Sequence, residues 1–557
     1  MQRTERQVLP DRAAASRLSF RTVADNEVPV LIAGGSLVGL STAVFLGARD
    51  IPSVVVERHA GTAIHPRAAL VNQRTMETYR AVGLEPAIED AAAREFVQNG
   101  AIVSVESLAG KELDWYFRTI NEGVEELSPC RRLFVTQIGL EPVLLAKAEE
   151  LGAKVRYASE VVGVEQDDGG VTARIRPRDG GPEQTVRAQY LVAADGAHSP
   201  TRERLGIGML GHGSFSDSIT IYFRADVREL LGERNLSVVY VFNPRLVGFF
   251  RFSIDGDAGF LVVNATIDEE GRRSTVIGED MSEKTCIGYV RRALGAPDLP
   301  VQIENVQRWS AMADWAERIT VGRVFIAGDA AHVMPPTGGF GGNVGVQDAY
   351  DLAWKLRYVL DGTAGPALLD TYDAERRPVG SFTTEQAYTR YVLRLDPGLG
   401  KENLMPMVGE TAVELGYRYR SAVIPVEPGD DGALWEDPHE PTARPGTRAP
   451  HVLVEREGRS TSILDLFGGG FVLLAGAEGD DWCAAARAAG ERLRVPVEAH
   501  RSGADFGDRQ GRFASVYGVG TGGAVLVRPD GFVAWRARDG GDAAAEVGGA
   551  LLRALAR

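Results

Sequence analysis

Residues 30–46 read VLIAGGSLVGLSTAVFL. A short apolar run is followed by clustered glycines and then a stretch of helical composition. Strand, tight turn and helix in that order open a dinucleotide-binding fold. Glycines let the backbone turn sharply and approach a pyrophosphate. The helix N-terminus then offers free N–H groups and a positive dipole end to the anion. In the GxGxxG pattern Gly34 and Gly39 hold their places, while Ser36 stands at the middle glycine. The next apolar run, 53–56, ends in Glu57, which lies 23 positions after Gly34. That is close to the ~20 expected of an acid that binds a ribose hydroxyl, and an acid there suits FAD or NAD rather than a 2′-phosphate.

Two further stretches repeat the theme of a buried strand running into glycine. Residues 190–202 read YLVAADGAHSPTR, with Asp195 and Gly196 at the strand end. Residues 324–347 read VFIAGDAAHVMPPTGGFGGNVGVQ, with Asp329 at the strand end and a glycine-rich loop leading into a helix. A carboxylate such as Asp329 accepts hydrogen bonds from sugar-like hydroxyls. The loop 338–343 presents backbone N–H groups at a helix start, a place that stabilises negative charge on a ligand. His332 invites a metal or acid–base reading, but the eight histidines are scattered without a ligand pair at helical spacing, so a packing role is expected and no metal. Two decoys fall away. Gly34-Gly35-Ser36-Leu37-Val38 lacks the second glycine of a nucleophile elbow. The glycine-rich run 518–523 leads into a strand, not a helix.

In this order and spacing, the three stretches resemble the FAD fingerprints of the class A flavoprotein hydroxylases, of which para-hydroxybenzoate and phenol hydroxylases are familiar members. The nearest resemblance is to the aromatic polyketide hydroxylases of the tetracenomycin and aklavinone type. Further matching stretches begin at His65, Arg132 and Leu368. The resemblance implies roles. Gly34, Ser36, Leu37, Val38 and Gly39 would line the FAD pyrophosphate. Glu57, with Arg58 beside it, would hold the adenosine ribose. Arg67 would reach the pyrophosphate, and Gln137 would lie on the flavin side. Asp195 and Gly196 belong to a motif shared between FAD and NADPH. Asp329 would bind the ribityl or pyrophosphate region. Pro335 and the loop with Gly339, Gly341, Gly342 and Asn343 would flank the isoalloxazine. Ser36 departs from the strict fingerprint and slightly crowds the pyrophosphate.

Composition bounds the partners. With 61 basic against 76 acidic residues the net charge is −15, which argues against nucleic acid or an anionic membrane. No apolar run approaches the ~18 residues of a membrane span. The N-terminal stretch lacks an apolar signal region and reads as a disordered tail over 1–26. Cys130, Cys286 and Cys483 are far apart, with no CxxC, which excludes a zinc ribbon or a disulfide framework and fits a reducing cytoplasm.

At 557 residues the chain needs two or three domains. The fold class is α/β. A discontinuous, Rossmann-like FAD-binding domain is expected over 27–100, 131–206 and 304–395. A β-sheet substrate domain is expected over 101–130 and 207–303, where strands such as 218–224, 237–242, 247–252 and 259–265 would cover the flavin. A helix and proline-rich linker would span 396–450. Residues 451–557 resemble the thioredoxin-like C-terminal domain of phenol-hydroxylase relatives. Cys483 has no partner there, so a packing or dimer-contact role is expected; the assembly is a monomer or a homodimer.

The implied reaction is NADPH- (or NADH-) consuming hydroxylation of a phenolic polycyclic aromatic, a polyketide antibiotic intermediate, through a flavin C4a-hydroperoxide. No second dinucleotide fingerprint is present, so NADPH would bind transiently. A phenolate needs a base or a positive field. Tyr222 and Arg224, two positions apart and on one strand face, are the catalytic candidates; Tyr240 and Arg251 also lie on the sheet. Baeyer–Villiger or epoxidising chemistry, and inactivation of an antibiotic, would carry the same fingerprints. A flavin fold kept as a binding module is the remaining alternative, against which the intact Glu57, Asp195 and Asp329 speak.

Overall fold

Val30, Leu31 and Ile32 have no exposed surface because their strand, Glu27–Ala33, runs through the middle of a sheet covered on both faces. The computed structural model describes residues 27–65, 69–267, 273–274, 281–508 and 510–557. The tail expected over 1–26 lies outside them. The first sheet is eight-stranded. Its path runs Thr320–Val321, Val324–Ile326, Gln184–Ala193, Glu27–Ala33, Ser53–Val56, Lys154–Arg156, with Ser159–Asp167 and Gly170–Pro177 added as an antiparallel hairpin. The central pairings are parallel. Parallel strands are buried on both faces and so read as continuous apolar runs, which is why 30–33 and 53–56 were recognisable. The helix Leu37–Gly47 closes one face with Gln137–Glu150 and Gly341–Leu360, joining Val30, Ile32, Leu40, Phe45, Leu144 and Leu352 in one core.

The second sheet has nine strands: His332–Val333, Gln302–Ala316, Met209–Arg224, Ala258–Ile267, Leu246–Phe252, Leu236–Asn243, Ala101–Val105 and Glu112–Phe117, with Arg273–Ser274 beside Ala258–Ile267. The helix Glu283–Leu294 covers one face, where Cys286, Val290 and Leu294 meet Ile221, Phe223, Phe250 and Leu261. The boundary expected at 304 is displaced. Gln302–Ala316 pairs along its length with Met209–Arg224, so 304–316 belong to this sheet and the chain returns to the first sheet only at Thr320. Val324–Ile326 and His332–Val333, both in the third sequence motif, lie on different sheets, so that motif bridges the two.

Residues 396–450 hold the helix Glu410–Leu415 and otherwise mostly irregular chain. Beyond them a four-stranded sheet is ordered Val497–Arg501, Phe471–Ala475, Ala524–Val527, Val533–Ala537; the first pair is parallel and the others antiparallel. The helices Asp480–Leu493 and Ala543–Ala554 pack together and share a core with Trp354 and Tyr358 of Gly341–Leu360. A buried ionic network fastens this unit to the rest. Arg528 donates to Glu375 (2.8 and 2.9 Å), Asp351 (3.3 Å) and Asp530 (2.5 Å), and Lys355 donates to Asp351 (2.7 Å) and Glu375 (2.8 Å). The Asp351, Glu375 and Asp530 carboxylates converge as metal ligands would, but Lys355 and Arg528 already bond them. No helix among the described residues is long and apolar enough to cross a membrane.

Candidate functional site

Ala33 is paired in register with Val56 and Ala193, and Ala193 with Ile326. The residues that follow this row are therefore brought together at the carboxyl ends of parallel strands: Gly34, Glu57, Asp195 and, just beyond Ala327, Gly328 and Asp329. Ligands of open α/β sheets bind in that crevice. A side chain cannot occupy two of the turn positions. Gly34 has φ of +99°, and a Cβ on it would lie 2.1 Å from the Ala194 carbonyl oxygen; one on Gly39 would lie 1.9 Å from the Gly34 oxygen. Glu57 is buried and braces the turn, accepting from the Gly35 amide (2.7 Å) and the His59 amide (2.8 Å). Arg58 is exposed next to it, and Arg67 lies outside the described residues.

Ser36 does not cap its helix. Its hydroxyl donates to Glu141 (2.5 Å), and Gln137 Nε2 donates to both Ser36 Oγ and Glu141 (3.0 Å each). The Ala63 amide also reaches Glu141 (2.6 Å). Burial pushes the Glu141 carboxyl up, against the downward pull of the Ser36 and Ala63 bonds. Sequence reading missed Glu141; the spacing of Gln137 and Glu141 on one helix turn was its only trace. Leu37 is buried, and Val38 abuts Gly328 and Gly345, which joins the first motif to the third. In the second motif Asp195 accepts from Ser199 Oγ and from the Thr201 amide (3.1 Å), while Arg202 donates to the Ala197 and Ala330 carbonyls (3.0 Å each). Gly196 is half-buried beside it, and Asp329 is exposed at its strand end.

The third motif forms a loop held by one side chain. Asn343 accepts from the Asn72 amide (2.9 Å) and donates to the Leu70 (2.9 Å) and Gly339 (2.7 Å) carbonyls. Gly341 and Gly342 begin the helix Gly341–Leu360, half-buried, and Pro335 is buried ahead of them. His332 is buried with Nε2 2.8 Å from one oxygen of Asp348, whose other oxygen takes the Arg376 guanidinium (2.7 Å); this is a packing role.

On the second sheet, the face away from Glu283–Leu294 is lined with rings. Tyr222, Phe260 and Arg251 stand opposite one another on adjacent strands; so do Thr220, Val262, Phe249 and Tyr240. Ring contacts run Tyr116–Tyr240 (5.6 Å), Tyr240–Phe249 (5.8 Å), Phe249–Phe260 (6.5 Å), Phe260–Tyr222 (6.0 Å) and Tyr222–His65 (6.5 Å). Polar groups are interspersed. Asn305 Nδ2 lies 3.2 Å from His65 Nδ1, Trp309 donates to Thr220 Oγ1 (3.0 Å), and Asn264 donates to Ser218 Oγ (3.1 Å). Burial raises the Tyr240 hydroxyl, with the Arg394 guanidinium opposing. Arg224 does not join this face. It ends the strand with its side chain 55% exposed, paired with Glu304 (2.7 Å) and Asp257 (3.4 Å). Alternation puts Arg224 on the same side of its strand as Tyr222, but Arg224 is the last residue of that strand and its side chain lies in solvent. Phe249, Phe260 and Tyr116 were missed because cross-strand register is not written in any one strand.

The chain matches the FAD-binding-domain family over residues 27–387 and the family of aromatic-ring hydroxylase C-terminal domains over 442–557. It is 51% identical to a 4-methyl-5-nitrocatechol 5-monooxygenase from Burkholderia sp, covering 93% of this chain and 96% of the relative. It is 41% identical to an aklavinone 12-hydroxylase from Streptomyces purpurascens, covering 96% and 100%. Among solved structures, a ternary complex of aklavinone-11 hydroxylase with FAD and aklavinone superposes with a TM-score of 0.89 at 40% identity, covering 96% of this chain and 100% of that one. The flavin-dependent monooxygenase PieE, solved with FAD and substrate, gives 0.85 at 33% identity, covering 96% and 99%.

Proposed function

The chain belongs to the family of FAD-dependent aromatic-ring hydroxylases, and from that premise we propose that it inserts one atom of O2 into a phenolic polycyclic aromatic, consuming NAD(P)H. It is an FAD-dependent monooxygenase. The residues present fit FAD. The crevice at the row Ala33, Val56, Ala193, Ile326 is floored by Gly34 and Gly39, where any Cβ would collide with backbone. Glu57 would hold the adenosine ribose, the Leu37–Gly47 helix N-terminus the pyrophosphate, and the loop 339–343 the isoalloxazine. FAD, when bound and reduced, supplies the activation of O2. Asp195 and Gly196 would meet NAD(P)H during a transient visit, since no second dinucleotide fingerprint exists.

The protein's own part is positioning and exclusion of water. The run of rings from Tyr116 to Tyr222 would hold a planar substrate by stacking and edge contacts. Tyr222, beside His65 and Asn305, would orient the phenolic oxygen and take part in its ionisation. The single observation that carries the polycyclic reading is the length of this ring-lined face, which crosses four neighbouring strands from Tyr240 to Tyr222. A second reading is a small substituted catechol; the 51%-identical relative is named for one. The C-terminal unit, with its βαβ pair and antiparallel hairpin, supports a thioredoxin-like reading, without a redox pair, since Cys483 is buried and burial raises its thiol pKa.

The experiment is NAD(P)H oxidation by the purified holoenzyme with tetracyclic phenols and with substituted catechols, followed by product identification. Stimulation by a tetracyclic phenol with one new ring hydroxyl supports the first reading. Stimulation only by catechols supports the second. An expanded ring or an epoxide as product rejects hydroxylation.

A further inference from the structure

Arg251 is 4% exposed, yet it has no carboxylate partner among the described residues. Its Nη1 donates to the Ala69 carbonyl (2.9 Å), and its Nε is buried without any hydrogen-bond partner. The guanidinium is sandwiched between rings, its carbon 4.1 Å from the Phe96 centroid and 3.9 Å from that of Phe134. Glu95 is the acid that acts on it through space; it makes no hydrogen bond or ion pair with Arg251 among the described residues, and one of its oxygens accepts from the Thr136 amide (2.9 Å). Burial draws the Arg251 pKa down to about 9, which still leaves it charged at neutral pH. Cation–π contacts recover only part of what it costs to bury a charge without a bonded counter-ion. The balance points to an anion that completes the site.

Location identifies the anion. Arg251 ends the row Tyr222, Phe260, Arg251, where the sheet meets the FAD domain. Ala69 precedes Leu70, whose carbonyl Asn343 holds. Phe134 follows Leu133, which is bridged to Val71. The segments 69–72 and 133–137 thus converge on Arg251, and they are the segments that carry the Asn343 contacts and Gln137. We propose that Arg251 is a positioning residue for the flavin: its cation, bonded to no carboxylate among the described residues and fixed against the Ala69 carbonyl by two phenyl rings, favours the negatively charged reduced flavin over the oxidised one. This rests on the FAD reading above. The two stacked rings hold the guanidinium in place, so its field acts from a fixed position.

The test is the midpoint potential of holoenzyme carrying Arg251→Met or Arg251→Lys, with FAD content and melting recorded alongside. For Arg251→Met the preference for reduced over oxidised FAD falls about tenfold, a potential lower by about 30 mV for the two-electron couple. Arg251→Lys recovers part of this. An Arg251→Met protein that holds FAD at the wild-type potential overturns the proposal, as does weaker substrate binding with the potential unmoved. If neither variant folds, the wild-type protein decides. Its reduced flavin, followed by absorbance, stays anionic on acidification from pH 8 to 6; a reduced flavin that is neutral throughout overturns the proposal. Failure of the wild-type chain to bind FAD at all would instead sink the flavin reading itself.

Discussion

Replacing Asn343 with alanine separates the loop 338–343, proposed above to flank the isoalloxazine, from the segment that precedes the helix Gln73–Arg80. One side chain makes three bonds there: it accepts from the Asn72 amide and donates to the carbonyls of Leu70 and Gly339. Asn343 is 3% exposed and Asn72 2%, so water does not replace what is lost. A buried group left without its partner costs about 1–3 kcal/mol, and the carbonyls, each with a second lone pair, cost less than the amide. The total is about 2–3 kcal/mol, and if it falls on cofactor binding it weakens FAD roughly 30- to 150-fold. Asn343→Asp is the sharper probe. It nearly preserves shape and the acceptor for Asn72, but turns two donors into an anion facing two carbonyls, so it binds FAD no better than the alanine variant. The assay is titration of deflavinated protein with FAD, read by quenching of flavin fluorescence. Binding within about threefold of wild type in both variants, a difference of under about 0.7 kcal/mol, refutes the reasoning.

Tyr222→Phe keeps the ring contacts with Phe260 and His65 but removes the hydroxyl; kcat for hydroxylation falls about 100-fold with a smaller change in KM, and steady-state kinetics at wild-type rates would remove Tyr222 from the chemistry. Arg528→Met removes the cation shared by Asp351, Glu375 and Asp530, leaving Lys355 on Asp351 and Glu375, and costs about 3–5 kcal/mol in denaturant unfolding at pH 7.5. Asp351 is already raised to about 7 by burial, so it binds its proton more readily folded than unfolded, and part of the loss returns at pH 5.5; a loss that is equal at both pH values contradicts the network. His451 is held down to about 4 by burial and Arg448, so the unfolded chain takes the proton first and stability falls as pH drops from about 6.5 to 4. The fall is about 3 kcal/mol, and His451→Gln flattens that part of the pH–stability curve if the assignment holds.

The parts of the site legible in the sequence are those fixed by local geometry. Gly34, Gly39 and Glu57 could be read because a strand–turn–helix with a following acid is a contiguous pattern, and parallel strands announce themselves as apolar runs. The meeting of Gly34, Glu57, Asp195 and Asp329 at the strand ends follows from those strands pairing. What could not be read depends on contacts distant in sequence. Glu141 matters through Ser36, 105 residues away. Arg251 looked like one more strand arginine, and only packing against Phe96, Phe134 and Ala69 distinguishes it from Arg224, which solvent and two acids claim. The boundary near 304 was misplaced because the half-buried strand Gln302–Ala316 alternates too irregularly to declare its sheet.

The most direct test of the central claim is turnover under 18O2 with NAD(P)H and the phenol that stimulates it most, the product being weighed by mass spectrometry. One labelled oxygen per product molecule is expected, on the aromatic ring, with one NAD(P)H consumed. Oxygen drawn from water, or oxidation of NAD(P)H with all its electrons passing to O2 as hydrogen peroxide for every stimulating phenol, would contradict hydroxylation.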